Sequence, residues 1–148
     1  MGRNFSKWIG IVLMAAATFC VSGLVMSGEA QAARLVNNND GTVTDTQTGL
    51  MWADHDNGSN INWSNAKNYC EGYNGGGKSG WRLPTLDELR SLNSSAYGSV
   101  IKRTGFWFWA SETKGSYAAS YGFGYGARYW THQSTNSDYR ALPVRSGK

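Results

Sequence analysis

The 148 residues carry 14 Lys and Arg against 10 Asp and Glu, a formal net charge of +4, with 19 Gly, 7 Trp, 8 Tyr and two Cys. That length accommodates one modest domain, and so mild a positive balance argues against a nucleic-acid partner. So few cysteines exclude a disulfide-framed scaffold.

The N-terminus reads as an export signal. Arg3 and Lys7 precede an apolar run from about Trp8 to Met26, and Ala30-Gln31-Ala32 supplies the small residues at which a signal peptidase cuts. Residues 1–32 are therefore expected to be a cleaved secretory signal, with residues 33–148 as one domain. An uncleaved anchor is the competing reading, because the run nears the ~18 residues of a spanning helix. Phe19, directly before Cys20, argues against lipoprotein processing. Cleavage leaves 12 basic against 9 acidic side chains, a net +3, and Cys70 as the one thiol. With no second cysteine to pair inside the chain, Cys70 is either a small buried residue, the favoured reading, or a link between chains.

In chain order, Arg34-Leu35-Val36 and Thr42-Val43-Thr44 flank Asn37-Asn38-Asn39-Asp40-Gly41, a hairpin signal. Reading the same acceptors as a calcium loop fails, because Val36 and Gln47 would fall on the first and last ligand positions. A second turn at Thr46-Gln47-Thr48-Gly49 leads into a strand, Leu50-Met51-Trp52, with Trp52 expected in the core. Ala53 to Asn62 is polar and expected to be a surface loop. His55 has no second histidine at ligand spacing, so no metal is expected there.

Asn62 or Ser64 can cap a helix that places Trp63, Ala66, Tyr69, Cys70 and Tyr73 on one face. The glycine-rich stretch Asn74–Gly80 ends it, and its Gly77-Lys78-Ser79 follows a helix rather than opening one, which excludes a phosphate loop. Gly80-Trp81-Arg82-Leu83-Pro84 is then extended, because Pro84 forces Leu83 out of helical geometry. Thr85 and Glu88 form a capping box, followed by Leu86, Leu89 and Leu92 at helical spacing. Trp81 and those leucines are expected at the centre of the core.

After a loop from Asn93 to Gly105, Phe106–Ser111 predicts a strand that is aromatic on both faces, the second face either covered by the N-terminal hairpin or exposed. Tyr117, Ala119, Tyr121, Phe123 and Tyr125 alternate with small residues, a strand with one aromatic face that turns at Gly124-Tyr125-Gly126 and returns through Arg128–His132. Tyr139–Arg145 is expected as one closing strand, with Pro143 marking an edge or a bulge.

The motifs Asp40-Gly41-Thr42-Val43-Thr44-Asp45, Thr48-Gly49-Leu50-Met51-Trp52, Trp63-x-x-Ala66-x-x-Tyr69-Cys70, Gly80-Trp81-Arg82-Leu83-Pro84-Thr85-x-x-Glu88-Leu89 and Trp109-Ala110-Ser111 stand in a characteristic order. In this the chain resembles the Lcl C-terminal domain family, named for a bacterial collagen-like adhesin, over roughly residues 34–146. The resemblance implies an α+β, C-type lectin-like fold in which two helices pack on a twisted antiparallel sheet with an additional hairpin and the termini lie close together. It also implies extracellular binding, with glycosaminoglycan recognition in the named adhesin. Members often carry a second cysteine near the last strand, which this chain lacks. The Glu-Pro-Asn and Trp-Asn-Asp calcium triplets of the wider fold are also missing, as is the cysteine pair of the related formylglycine-generating enzymes. Calcium-mediated sugar binding is accordingly not carried over.

No nucleophile with a base, paired carboxylates or metal cluster stands out, so the chain is expected to be no enzyme and to use no cofactor. The Tyr-, Gly- and Ser-rich stretch from Tyr117 to Tyr139 has the composition of a recognition surface. Tyr117, Tyr125, Tyr129, His132 and Tyr139, nearest the turns, are the candidate ring contacts, with Lys114, Arg128 and Arg140 as partners for sulfate or carboxylate. Tyr121, Phe123 and Trp130 are instead expected to fill the core. The expected role is a secreted, periplasmic or cell-surface module that binds a glycan, a glycosaminoglycan-like polyanion or a surface protein and is free of the membrane after cleavage, with a homo-oligomer among its expected states. A receptor-ligand domain of the retroelement-diversified kind and a structural subunit of an envelope assembly are the alternatives.

Overall fold

The computed structural model describes residues 33–93 and 100–148. The expected signal segment, residues 1–32, and part of the loop after the second helix lie outside the described residues. Among the described residues no helix is long and apolar enough to cross a membrane.

The hairpin forms where Asp40-Gly41 predicts it. Strand β1 (Leu35–Asn37) pairs antiparallel with β2 (Thr42–Asp45), and Gly41 takes the left-handed φ of 88° that the turn requires. The turn at Thr46–Gly49 leads to β3 (Leu50–Ala53), where Trp52 is sealed in the core as expected. Buried Asp45 ties the hairpin down. Its carboxylate accepts both Arg34 Nε (3.0 Å) and Nη2 (2.7 Å), while Arg34 Nη1 donates to Ser91 O (3.0 Å) at the end of the second helix.

Asn62 caps α1 (Trp63–Gly72) by accepting the Asn65 N–H at 2.9 Å, and Ala66 and Cys70 are the buried residues of its apolar face. Burial pushes the Cys70 thiol above its ordinary 9.0, so here it is a packing residue. The capping box at the start of α2 (Leu86–Asn93) is present in full. Thr85 N–H donates to Glu88 Oε2 at 2.8 Å, and Glu88 N–H donates to Thr85 Oγ1 at 3.2 Å. Arg82 closes a two-pronged bridge on the same carboxylate at 2.8 and 2.7 Å. From the far side Glu112 accepts the Leu86 N–H at 2.9 Å, satisfying another orphan donor of the first turn.

Among the described residues, β4 (Trp107–Lys114), β5 (Tyr117–Gly122), β6 (Ala127–His132), β7 (Tyr139–Arg140) and β8 (Val144–Ser146) complete two four-stranded sheets, ordered β1-β2-β3-β8 and β6-β5-β4-β7. The class is α+β, but one antiparallel sheet with an added hairpin is corrected to two sheets, one of which includes a parallel pair. The closing strand is divided. β7 (Tyr139–Arg140) runs parallel to β4 in the second sheet, and β8 (Val144–Ser146) pairs antiparallel with β3 in the first. Pro143 sits at the crossover because it has no N–H to give either ladder, and its carbonyl accepts the Ala53 N–H at 2.9 Å.

The core is also divided. Leu89 and Leu92 of α2 pack with Trp52, Phe108 and Tyr121 on one face of the second sheet, while Ala66 and Cys70 of α1 pack with Leu83 and Trp109 on the other. Both faces of β4 are thus covered, one by α2 together with Leu35 and Val43 of the N-terminal hairpin and the other by α1. Trp81 is buried but not at the leucine centre; it packs edge-on against Tyr73 at 4.8 Å. The loop from Ala53 to Asn62 is only partly surface. Asp56 is buried and accepts Thr104 N–H (2.6 Å), Thr104 Oγ1 (2.7 Å) and Gly58 N–H (2.8 Å), pinning the loop inward.

Burial raises the Glu88 carboxyl, but the Arg82 fork and Thr85 outweigh it and hold the group below its ordinary 4.5. Stability from a carboxylate held low is complete above 4.5 and is lost as the pH falls through the lower folded value. Glu88→Ala is expected to cost about 1–2 kcal/mol near neutral pH. In urea unfolding the gap from wild type should narrow as the pH drops below 4.5. A thiol reagent should leave Cys70 unmodified in the native chain and label it once urea unfolds the protein, as read by peptide mapping.

Candidate functional site

Side chains alternate across a strand, so the pairing of β4, β5 and β6 decides which rings meet. Tyr117 faces His132, Ala119 faces Trp130 and Tyr121 faces Arg128 on the α2 side of the sheet. Ser120 faces Tyr129 and Ala118 faces Thr131 on the α1 side, where Trp107 and Trp109 of β4 also point. The eight candidates therefore do not form one site.

On the α1 side the rings make a continuous row. Trp109 is fully buried and donates from Nε1 to Ile61 O at 2.8 Å. Tyr139 stacks on it at 4.3 Å and 25°, and Trp107 lies 6.4 Å beyond Tyr139 at 26°. Tyr125 stacks on the outer face of Trp107 at 5.6 Å and 16°, and Tyr129 meets it edge-on at 4.7 Å. The inner end is fixed by packing and by the 2.7 Å hydrogen bond between Tyr139 and Thr131 hydroxyls. The outer end is open, with Tyr125 73% and Tyr129 51% exposed. Tyr139, expected among the exposed rings, is half-buried and serves as the link between core and surface.

Gly122 explains how Trp107 lies so close to the sheet: a β-carbon there would overlap the six-membered part of its ring. Trp107 was missed as a site residue, although the alternating glycines at 122, 124 and 126 are a signal for a ring laid across a strand. Phe106, 68% exposed, was also missed.

The α2 side carries two separate features. Lys114, Tyr117 and Trp130 line an open groove of about 390 Å³, and His132 meets Tyr117 edge-on at 5.6 Å while its Nδ1 pairs with Ser134 Oγ at 2.8 Å. Trp130 is 48% exposed, not core. The reason is topological: β6 is an outer strand, so the ring opposite Ala119 projects past the covered part of the sheet, whereas Tyr121 and Phe123 further in are buried as expected. Arg128 lies apart, lining a smaller pocket of about 250 Å³ with Leu86, Asp87, Arg90, Tyr121 and Gly126.

Arg140 belongs to neither surface. Its Nε donates to Thr104 Oγ1 (3.0 Å), its Nη2 to Thr104 O (3.3 Å) and its Nη1 to Asn60 Oδ1 and Tyr139 O. The guanidinium is a clamp between two loops and β7, which takes the donors an anion would need. Among the described residues no group of three or more His, Cys, Asp or Glu converges as metal ligands would.

The model of the Lcl C-terminal domain family matches residues 41–145. No curated protein matches the chain.

Gly122→Ala is expected to push the Trp107 ring off β5, destabilising the chain by about 1–3 kcal/mol, the cost of overpacking. The aromatic near-UV circular dichroism should change while the far-UV spectrum is kept.

Proposed function

The chain belongs to the Lcl C-terminal domain family, and from that premise we propose that it is an exported, non-catalytic module that binds glycans through the row of Trp107, Tyr125 and Tyr129. The single observation that carries this reading is a stacked set of rings anchored in the core at one end and open to solvent at the other. Aromatic faces suit the apolar C–H faces of sugar rings, and a platform that is already rigid loses little freedom when it binds. Buried Trp109 and the Tyr139–Thr131 hydrogen bond supply that rigidity.

Lys114, Tyr117, Trp130 and His132 on the other side of the sheet are a second contact area, where an ammonium group beside rings suits a sugar carrying carboxylate or sulfate. A C-type lectin-like fold is supported by two helices against two sheets and by the first and last described strands, β1 and β8, belonging to one sheet. Export is supported by the charged and apolar order of residues 1–32.

The test is a glycan-array screen followed by titration at low and moderate salt. Tyr125→Ala and Trp107→Ala should each weaken binding by about tenfold or more, the effect of losing roughly 1.4 kcal/mol. Lys114→Ala should weaken only the charged glycans and flatten their salt dependence. Failure to bind any glycan at either salt concentration overturns the reading.

A further inference from the structure

Arg128 serves neither the ring row nor the Lys114 groove. It lines a cavity of about 250 Å³ between α2 and the β5–β6 hairpin, with Leu86, Asp87 and Arg90 as the helix wall and Tyr121 and Gly126 beside it on the sheet wall. The arginines that hold the scaffold together are tied to acceptors: Arg34 to Asp45, Arg82 to Glu88, and Arg140 to Thr104 and Asn60. Among the described residues the guanidinium groups of Arg90 and Arg128 have no such partner. Glu112, on the neighbouring β4, is already taken by the Leu86 N–H at 2.9 and 3.1 Å. Two cations, one from the helix and one from the hairpin, thus border one space, and a planar carboxylate is the anion that a guanidinium fork matches.

Tyr121 adds a third donor. It is only 4% exposed, and its hydroxyl oxygen accepts the Asn93 Nδ2–H at 3.2 Å, so the hydroxyl hydrogen is left to donate elsewhere. Among the described residues that hydrogen has no acceptor. Gly126, in the left-handed region at a φ of 61°, borders the same oxygen: a β-carbon there would lie 4.0 Å from it, and its absence leaves the hydroxyl open to the cavity. A buried hydroxyl with an unspent hydrogen beside a cavity is a donor kept for something that enters.

Asp87 decides which anion fits. Two arginines and one aspartate leave the lining with a charge of +1, which a monoanion neutralises and a dianion exceeds. The Asp87 carboxylate is also an acceptor, so it favours a ligand with an N–H or O–H next to its own carboxylate; sulfate offers none. The cavity lies below the ~300 Å³ at which ligand pockets usually begin, so its occupant is a small molecule.

We propose that this cavity binds a small organic monoanion with a hydrogen-bond donor beside its carboxylate, the chemistry that α-hydroxy acids and α-amino acids share. The carboxylate sits between Arg90 and Arg128 and accepts from the Tyr121 hydroxyl, the neighbouring hydroxyl or ammonium group donates to Asp87, and the carbon body rests on Leu86. The ring row lies on the opposite face of the sheet, so this site stands independently of what those rings bind.

The experiment is a two-dimensional NMR titration of the ¹⁵N-labelled full chain, as processed by the cells that make it, with lactate, alanine, acetate and sulfate at constant ionic strength. Lactate, alanine or both should move the Gly126 and Arg128 amide signals along a saturable curve, and which of them does so identifies the source. Acetate and sulfate should bind about tenfold or more weakly. Arg90→Gln and Arg128→Gln should each weaken binding by about tenfold with the rest of the spectrum kept, and Tyr121→Phe, which retains the ring, should weaken it several-fold. Asp87→Ala should abolish the preference over acetate. No saturable shift with lactate or alanine, sulfate bound as tightly as either (an adventitious ion only), or binding unmoved by these substitutions overturns the proposal.

Discussion

The fold depends on one strand that must satisfy two cores at once. Along β4, Phe108 and Ala110 point into the leucine core under α2, while Trp109 points into the smaller core under α1. Because side chains alternate, a slip of one residue would exchange a phenylalanine and a tryptophan between cavities shaped for the other. The polar bonds guard that register. Trp109 Nε1 reaches Ile61 O before α1, Trp63 Nε1 on α1 reaches Ala110 O at 2.9 Å, and Glu112 caps α2 from the same strand. Each helix is thereby placed against β4 by a bond as well as by packing, and buried polar groups with partners are worth keeping in this way.

What was legible in the sequence is what local chemistry decides. The Thr85–Glu88 box, the Asn62 cap, the Asp40-Gly41 hairpin and the burial of Cys70 follow from residues within a turn or two of each other. The failures share a different cause. Tyr139–Arg145 has the pattern of one strand, yet its first part is claimed by β4 and its last by β3, a choice made by segments far away in the chain. Trp130 has the pattern of a core residue, and its exposure comes only from β6 being outermost.

The candidate surface was legible as a composition and not as a shape. Tyr125 and Tyr129 stand open to solvent as their place near the turns implies, but their main contact, Trp107, lies in a strand whose rings all read alike. Only the missing side chain at Gly122 distinguishes it, since that gap lets the ring lie on the neighbouring strand. Arg140 shows the converse. Nothing near it in the chain indicates that Asn60 and Thr104 take its donors, and such distant pairing turns a would-be anion contact into scaffolding.

The pairing of Leu50 with Ser146 has a consequence for biosynthesis. The first sheet is begun by the earliest strands of the domain but cannot be finished until β8 has left the ribosome, since β8 supplies its final ladder. Contacts that close so long a loop are entropically late. Until then β3 keeps an unpaired side and the hairpin has no completed sheet behind it. Completion of this sheet is therefore a late event in the birth of the chain, coming after every element between β3 and β8 has been made.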